Sequence, residues 1–149
     1  LGGEAFEDVR FTGFPELSQL DPDALERAIP IREAYFAMYP DSVGFSGVTL
    51  AGSDAYGVLV AAIERAIASG ADPSNIARFR AAVGDALAAT QGYPGVTGDI
   101  TFAGTDGTPA ERSMGLLVVR NVAPDGSYVR DSMGYFSIRP GSIEFHPHE

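Results

Sequence analysis

The stretch from Ser53 to Gly107 constrains this chain most. Two consecutive amphipathic helical patterns run straight into Gly95-Val96-Thr97-Gly98-Asp99-Ile100-Thr101-Phe102, and a tight turn follows at Thr105-Asp106-Gly107. Ser53 reads as the cap of the first helix, whose Tyr56, Leu59/Val60, Ile63 and Ile67 recur at helical spacing, and Gly70 stops it where a left-handed residue costs little. Asp72-Pro73 opens the second, with Ile76, Phe79, Val83 and Leu87 as its apolar stripe. Both helices are rich in alanine and aliphatic residues, which suits close packing on a sheet, so the expectation is an α/β fold.

The flanks agree with that class. Val9-Arg10-Phe11-Thr12 alternates as a short strand and runs into the Gly13-Phe14-Pro15 loop. Asp21 caps a further helix, with Pro22 at its first position and Asp23 in its first turn; Leu25, Ile29 and Phe36 follow at helical spacing. Pro30 is predicted to kink or split that helix, and Pro40-Asp41 to end it. Ser42 to Gly52 holds three glycines and reads as an extended crossing or loop. Val96 to Phe102 reads as a strand with a bulge at Gly98. Met114 to Val119 is an apolar run of strand length, as in a strand buried on both faces, and Pro124-Asp125-Gly126 turns it toward Tyr128-Val129-Arg130. A short strand over Tyr135 to Ile138 and an irregular tail are expected at the end.

Charge and residue chemistry exclude more than they specify. All ten basic residues are arginine, and twenty acidic residues bring the formal charge to −10, interspersed along the chain; phosphate-binding demands a basic face, so no nucleic-acid partner is expected. The absence of cysteine removes disulfides, thiolate metal sites and thiol catalysis. No apolar run approaches the roughly 18 residues of a membrane span. The start, Leu1-Gly2-Gly3-Glu4, carries neither an initiator Met nor a secretion signal, so a processed or truncated product is expected.

His146 and His148 stand near Glu149 in a metal-compatible pattern, yet read more simply as a terminal tail. Asp99, Asp106 and Glu111 lack the regular oxygen alternation of a calcium loop. Gly44-x-x-Gly47 has no lysine for a phosphate loop, and no Gly-x-Ser-x-Gly elbow occurs. No catalytic group, metal or cofactor is expected, and the reading is not of an enzyme.

Ser53-Asp54-Ala55-Tyr56, Ile63-Glu64-Arg65-Ala66, Ala82 to Thr90 and Gly95-Val96-Thr97-Gly98 occur in the order helix, helix, glycine-bracketed turn, strand, turn, strand. In this order they resemble the closing third of the type I periplasmic solute-binding proteins of branched-chain amino acid and amide ABC transporters. The likeness runs from Phe6 to Tyr135, with Ser53 standing where that family usually has an aromatic.

The resemblance implies a type I periplasmic-binding-protein fold, two Rossmann-like lobes joined by hinge crossovers, of which this chain is the C-terminal part. Residues 1–41 would end the second lobe, 42–52 form a crossover region, 53–113 complete the first lobe, and 114–149 return across the hinge to the second lobe and tail. It further implies a small-molecule ligand, such as a branched-chain or related amino acid, amide or carboxylate, held by lobe closure without catalysis. Phe14 and Phe45 are the candidate ligand contacts. The implied partners are the N-terminal portion of the same receptor and a membrane permease, and the implied location is extracytoplasmic, in a periplasm or as a cell-surface lipoprotein. The alternatives are a ligand-sensing receptor domain of the same fold, marked by adjacent effector sequence, and a small α/β enzyme, marked by convergent titratable residues in a cleft.

Overall fold

The computed structural model describes residues 7–42, 44–123 and 129–148. Asp21 caps its helix as the sequence predicts: its Oδ1 accepts the Ala24 N–H at 2.9 Å, and Pro22 opens α1, Pro22–Met38. Pro30 does not split α1, which runs through it as one helix.

The second helix corrects the expectation for 42–52. No loop occupies that stretch up to Gly52; α2 spans Gly47–Ala68, beginning after Ser46, so Ser53 is an interior residue and not a cap. Gly47 sits where any side chain would strike the Phe14 and Pro15 backbone carbonyls, so this glycine lets a helix start against a loop. Gly70, at φ +90, ends α2 as predicted: its N–H reaches Ile67 O at 2.9 Å and the Ala71 N–H reaches Ala66 O at 3.0 Å.

The predicted stripe on α2 is not its buried face. Leu50, Asp54, Val58, Ala62 and Ala66 are buried, whereas Tyr56 is 71% exposed and Ile67 51%. The helix has two apolar faces, and within this chain the one with the smaller residues packs inward. The third helix, α3 at Ile76–Ala88, starts after Asn75, whose Oδ1 accepts the Arg78 N–H at 3.3 Å; Asp72 binds Ser74 instead. Its Phe79, Val83 and Leu87 are half-buried, and none of its residues is fully buried.

Among the described residues the strands form one antiparallel sheet and one hairpin. The sheet order is β1 (Arg10–Gly13), β4 (Arg112–Arg120), β5 (Val129–Arg139), β6 (Ser142–Pro147). The Met114 to Val119 run lies in β4, with Leu117, Val118 and Val119 buried. The tail is not irregular: β5 extends through Tyr135–Ile138 and pairs with β6 from Gly134↔Pro147 to Arg139↔Ser142. The segment from Val96 to Phe102 is not one strand either. Tyr93–Gly95 (β2) pairs with Gly98–Ile100 (β3) across a turn at Val96-Thr97, and Gly98 takes φ +122. The Pro124-Asp125-Gly126 turn lies outside the described residues.

Two contacts lock these parts together. Ala28, Leu50 and Val96 form a core joining α1, α2 and the hairpin turn, with Leu17, Leu20, Ile31 and Phe45 against it. Gln19, in a single 3-10 turn, is 1% exposed; its Nε2 donates to Gly134 O at 2.7 Å and Leu116 O at 3.3 Å, where the β4–β5 register slips. A side chain at Gly115 would occupy the place of the Gln19 amide.

Candidate functional site

The β2–β3 hairpin is held from two sides, and that fixes one wall of a groove. From α2, the buried Asp54 carboxylate accepts the Val96 N–H at 2.6 Å, the Thr97 N–H at 2.8 Å and the Thr97 hydroxyl at 2.6 Å. From α1, Arg27 donates twice to Gly95 O, at 3.1 Å from Nε and 2.8 Å from Nη2. Gly95 carries no side chain because Gly98 O and the Asp54 carboxyl lie against it. The Gly-Val-Thr-Gly motif is thus the shape that lets one carboxylate take three donors of the turn.

Between that hairpin, α2, the start of β4 and the loop after β1 lies a cavity of about 740 Å³. Its walls are mainly hydrocarbon, including Val58, Leu59, Leu87, Ile100, Phe102 and Met114. A volume of this size falls within the range of small-molecule sites. A second, polar compartment of about 360 Å³ lies against the β5–β6 surface and the first turn of α1, and shares Gly98, Glu111, Arg112 and Ser113 with the first.

The two candidate contacts fall in different places. Phe14 is 54% exposed and lines the larger cavity. Phe45 does not border it; half-buried, it packs with Tyr35 and Phe36 at centroid distances of 5.4 and 6.0 Å. His146 stacks on Tyr135 and sets Nε2 3.0 Å from Ser137 Oγ, while His148 Nε2 lies 2.8 Å from Ser18 O. The two imidazoles are therefore engaged by separate partners. Asp106 belongs to a turn in which the Thr108 backbone N–H holds its carboxyl below the usual carboxylate range.

Sequence reasoning missed Asp54, Arg27 and Arg112 as determinants of the groove. Asp54 was visible only as part of a helix motif. An acidic residue amid the apolar positions of a helix is a signal that a buried donor awaits it, but not which one.

The crystal structure of a leucine-binding protein, LivK, from Thermotoga maritima superposes at a TM-score of 0.59 with 26% sequence identity, over 93% of this chain. The fold is that of a type I periplasmic binding protein, in part. This chain spans 33% of the length of the LivK chain it matches. No protein-family model and no curated protein matches the sequence. With the fold assigned, the groove is a small-molecule-sized cavity in part of a binding-protein scaffold, and its neighbour in structure is a binding protein and not an enzyme.

Proposed function

We propose that this chain is the C-terminal part of an extracytoplasmic solute-binding protein that serves an ABC transporter and closes two lobes on a small molecule without catalysis. The observation that carries this reading is the likeness to a leucine-binding protein over nearly the whole chain. Two features support it. The cavity is apolar and small-molecule-sized, and the outward stripe of α2 is apolar where a free surface helix would be polar. The remaining portion of the receptor would cover that stripe, and a membrane permease would receive the loaded protein. In this reading residues 1–41 and 114–149 belong to the second lobe, 53–113 to the first, and 42–52, including the first turn of α2, lie near a crossover.

Ligand binding tests the reading. A ligand at a hundredfold excess over Kd stabilises a protein by about 2.7 kcal/mol. The full-length protein is expected to show a raised melting temperature with at least one amino acid, amide or carboxylic acid of aliphatic or aromatic body. A broad screen without any shift would count against it.

Phe14 and Phe45 separate contact from packing. Phe14→Ala is expected to weaken ligand binding by about 1–3 kcal/mol through lost apolar contact. Its exposure predicts less than about 1 kcal/mol of lost stability without ligand. Phe45→Ala, which empties a place in an aromatic cluster, is expected to lower the unliganded stability by about 2 kcal/mol. Titration calorimetry beside melting curves reads both; unchanged stability with lost affinity in Phe45→Ala would make Phe45 a ligand contact.

A further inference from the structure

The two compartments meet at the start of β4, and one charge there is left over. Asp54 is engaged by the hairpin, Arg27 by Gly95 O, and Glu111 by Arg139 at 3.2 Å. Arg112 borders both compartments and, among the described residues, its guanidinium has no ion-pair or hydrogen-bond partner. On one side of it the walls are mainly hydrocarbon; on the other they are polar and include the carboxylates of Asp23, Asp99 and Glu144, so an anion beside Arg112 is favoured only on the hydrocarbon side. A guanidinium is a planar fork of five donors with no acceptor, and it matches a carboxylate through two parallel N–H···O bonds.

We propose that Arg112 reads a carboxylate, and that the solute is an apolar carboxylic acid whose body occupies the larger compartment. The proposal rests on the solute-binding reading above and narrows its ligand. A carboxamide of the same shape keeps the apolar contacts but turns an NH₂ donor toward a group that offers only donors. Discrimination between acid and amide therefore isolates the contribution of Arg112. Because Arg112 is exposed, water competes for it, and the expected preference is about tenfold and not the thousandfold of a sealed site.

Calorimetric titration of the full-length protein with 3-phenylpropionate and 3-phenylpropionamide tests this. The acid is expected to bind at least about tenfold tighter than the amide. Arg112→Gln is expected to abolish that preference by weakening the acid alone, and Arg112→Lys to retain part of it. Equal binding of acid and amide by the unaltered protein would overturn the proposal, and this comparison needs no variant to fold. So would equal weakening of both by Arg112→Gln, or binding of neither probe. Leucine is the control that separates the two readings. If leucine raises the melting temperature while neither probe binds, the assignment of an apolar acid without an ammonium group fails and solute binding stands. If leucine, both probes and the wider screen all leave the melting temperature unmoved, both fail.

Discussion

Replacing Asp54 with alanine is expected to remove about 3 kcal/mol of folding stability, measured by urea denaturation with unchanged buffer and ligand-free protein. The Val96 and Thr97 N–H groups point at this carboxylate from the hairpin turn, and Val96 is itself buried. Alanine leaves two backbone donors without an acceptor, and each such group costs about 1–3 kcal/mol when water does not reach it. Thr97→Val removes only the hydroxyl donor and is expected to cost about 1 kcal/mol. Asp54→Asn should fall between them, because one amide oxygen replaces two carboxylate oxygens and the NH₂ faces a donor. A loss below about 1 kcal/mol for Asp54→Ala would show that the turn holds its shape without the carboxylate. The groove wall would then owe its position to Arg27 and to the packing of Val96 against Ala28 and Leu50.

The double substitution Tyr56→Glu with Ile67→Glu is expected to behave differently in two settings. In the 149-residue chain both side chains are more than half exposed, so the pair should cost less than about 1 kcal/mol. In the proposed receptor the same face lies against the remaining portion, and two carboxylates buried there without partners should cost more than about 4 kcal/mol or prevent assembly. Melting curves of the two forms, side by side, give the comparison. An equal, small effect in both would show that the stripe stays in water, and would remove one support for the two-lobed reading.

What was legible depended on how far apart the interacting residues lie in sequence. The Asp21-Pro22 start of α1 and the Gly70 stop of α2 are settled within four or five residues, and both were readable. The start of α2 was not, because Gly44, Gly47 and Gly52 carry the composition of a loop. Gly47 is required there by the Phe14-Pro15 backbone, some thirty residues upstream in sequence. Asp72-Pro73 imitated a cap that Asn75 supplies. The β6 strand was missed although Ser142-Ile143-Glu144-Phe145 alternates and Pro140-Gly141 precedes it; a tail of six residues looks unsupported until its pairing with β5 is seen. At the site, the Gly-Val-Thr-Gly turn was readable as a turn. That it is gripped by Asp54, 42 residues earlier, was not. Of the two aromatics chosen as contacts, Phe14 reaches the cavity wall because it leaves a strand end, and Phe45 faces the rings of α1.

The Gln19 clasp has a consequence for the order in which the chain folds. Its two bonds span 97 and 115 residues, and β1 pairs with β4 at Arg10↔Val118. Closing loops of that length is entropically expensive until many contacts reward it at once, whereas α2 and α3 join through a link of seven residues, 69–75. The helix pair and the hairpin it grips can therefore form while the ends of the chain are still free. The loop that carries Phe14 is tied down by partners far along the chain, Gln19 in the β4–β5 irregularity and Gly47 at the start of α2, so the groove wall at the chain's beginning is expected to be completed late.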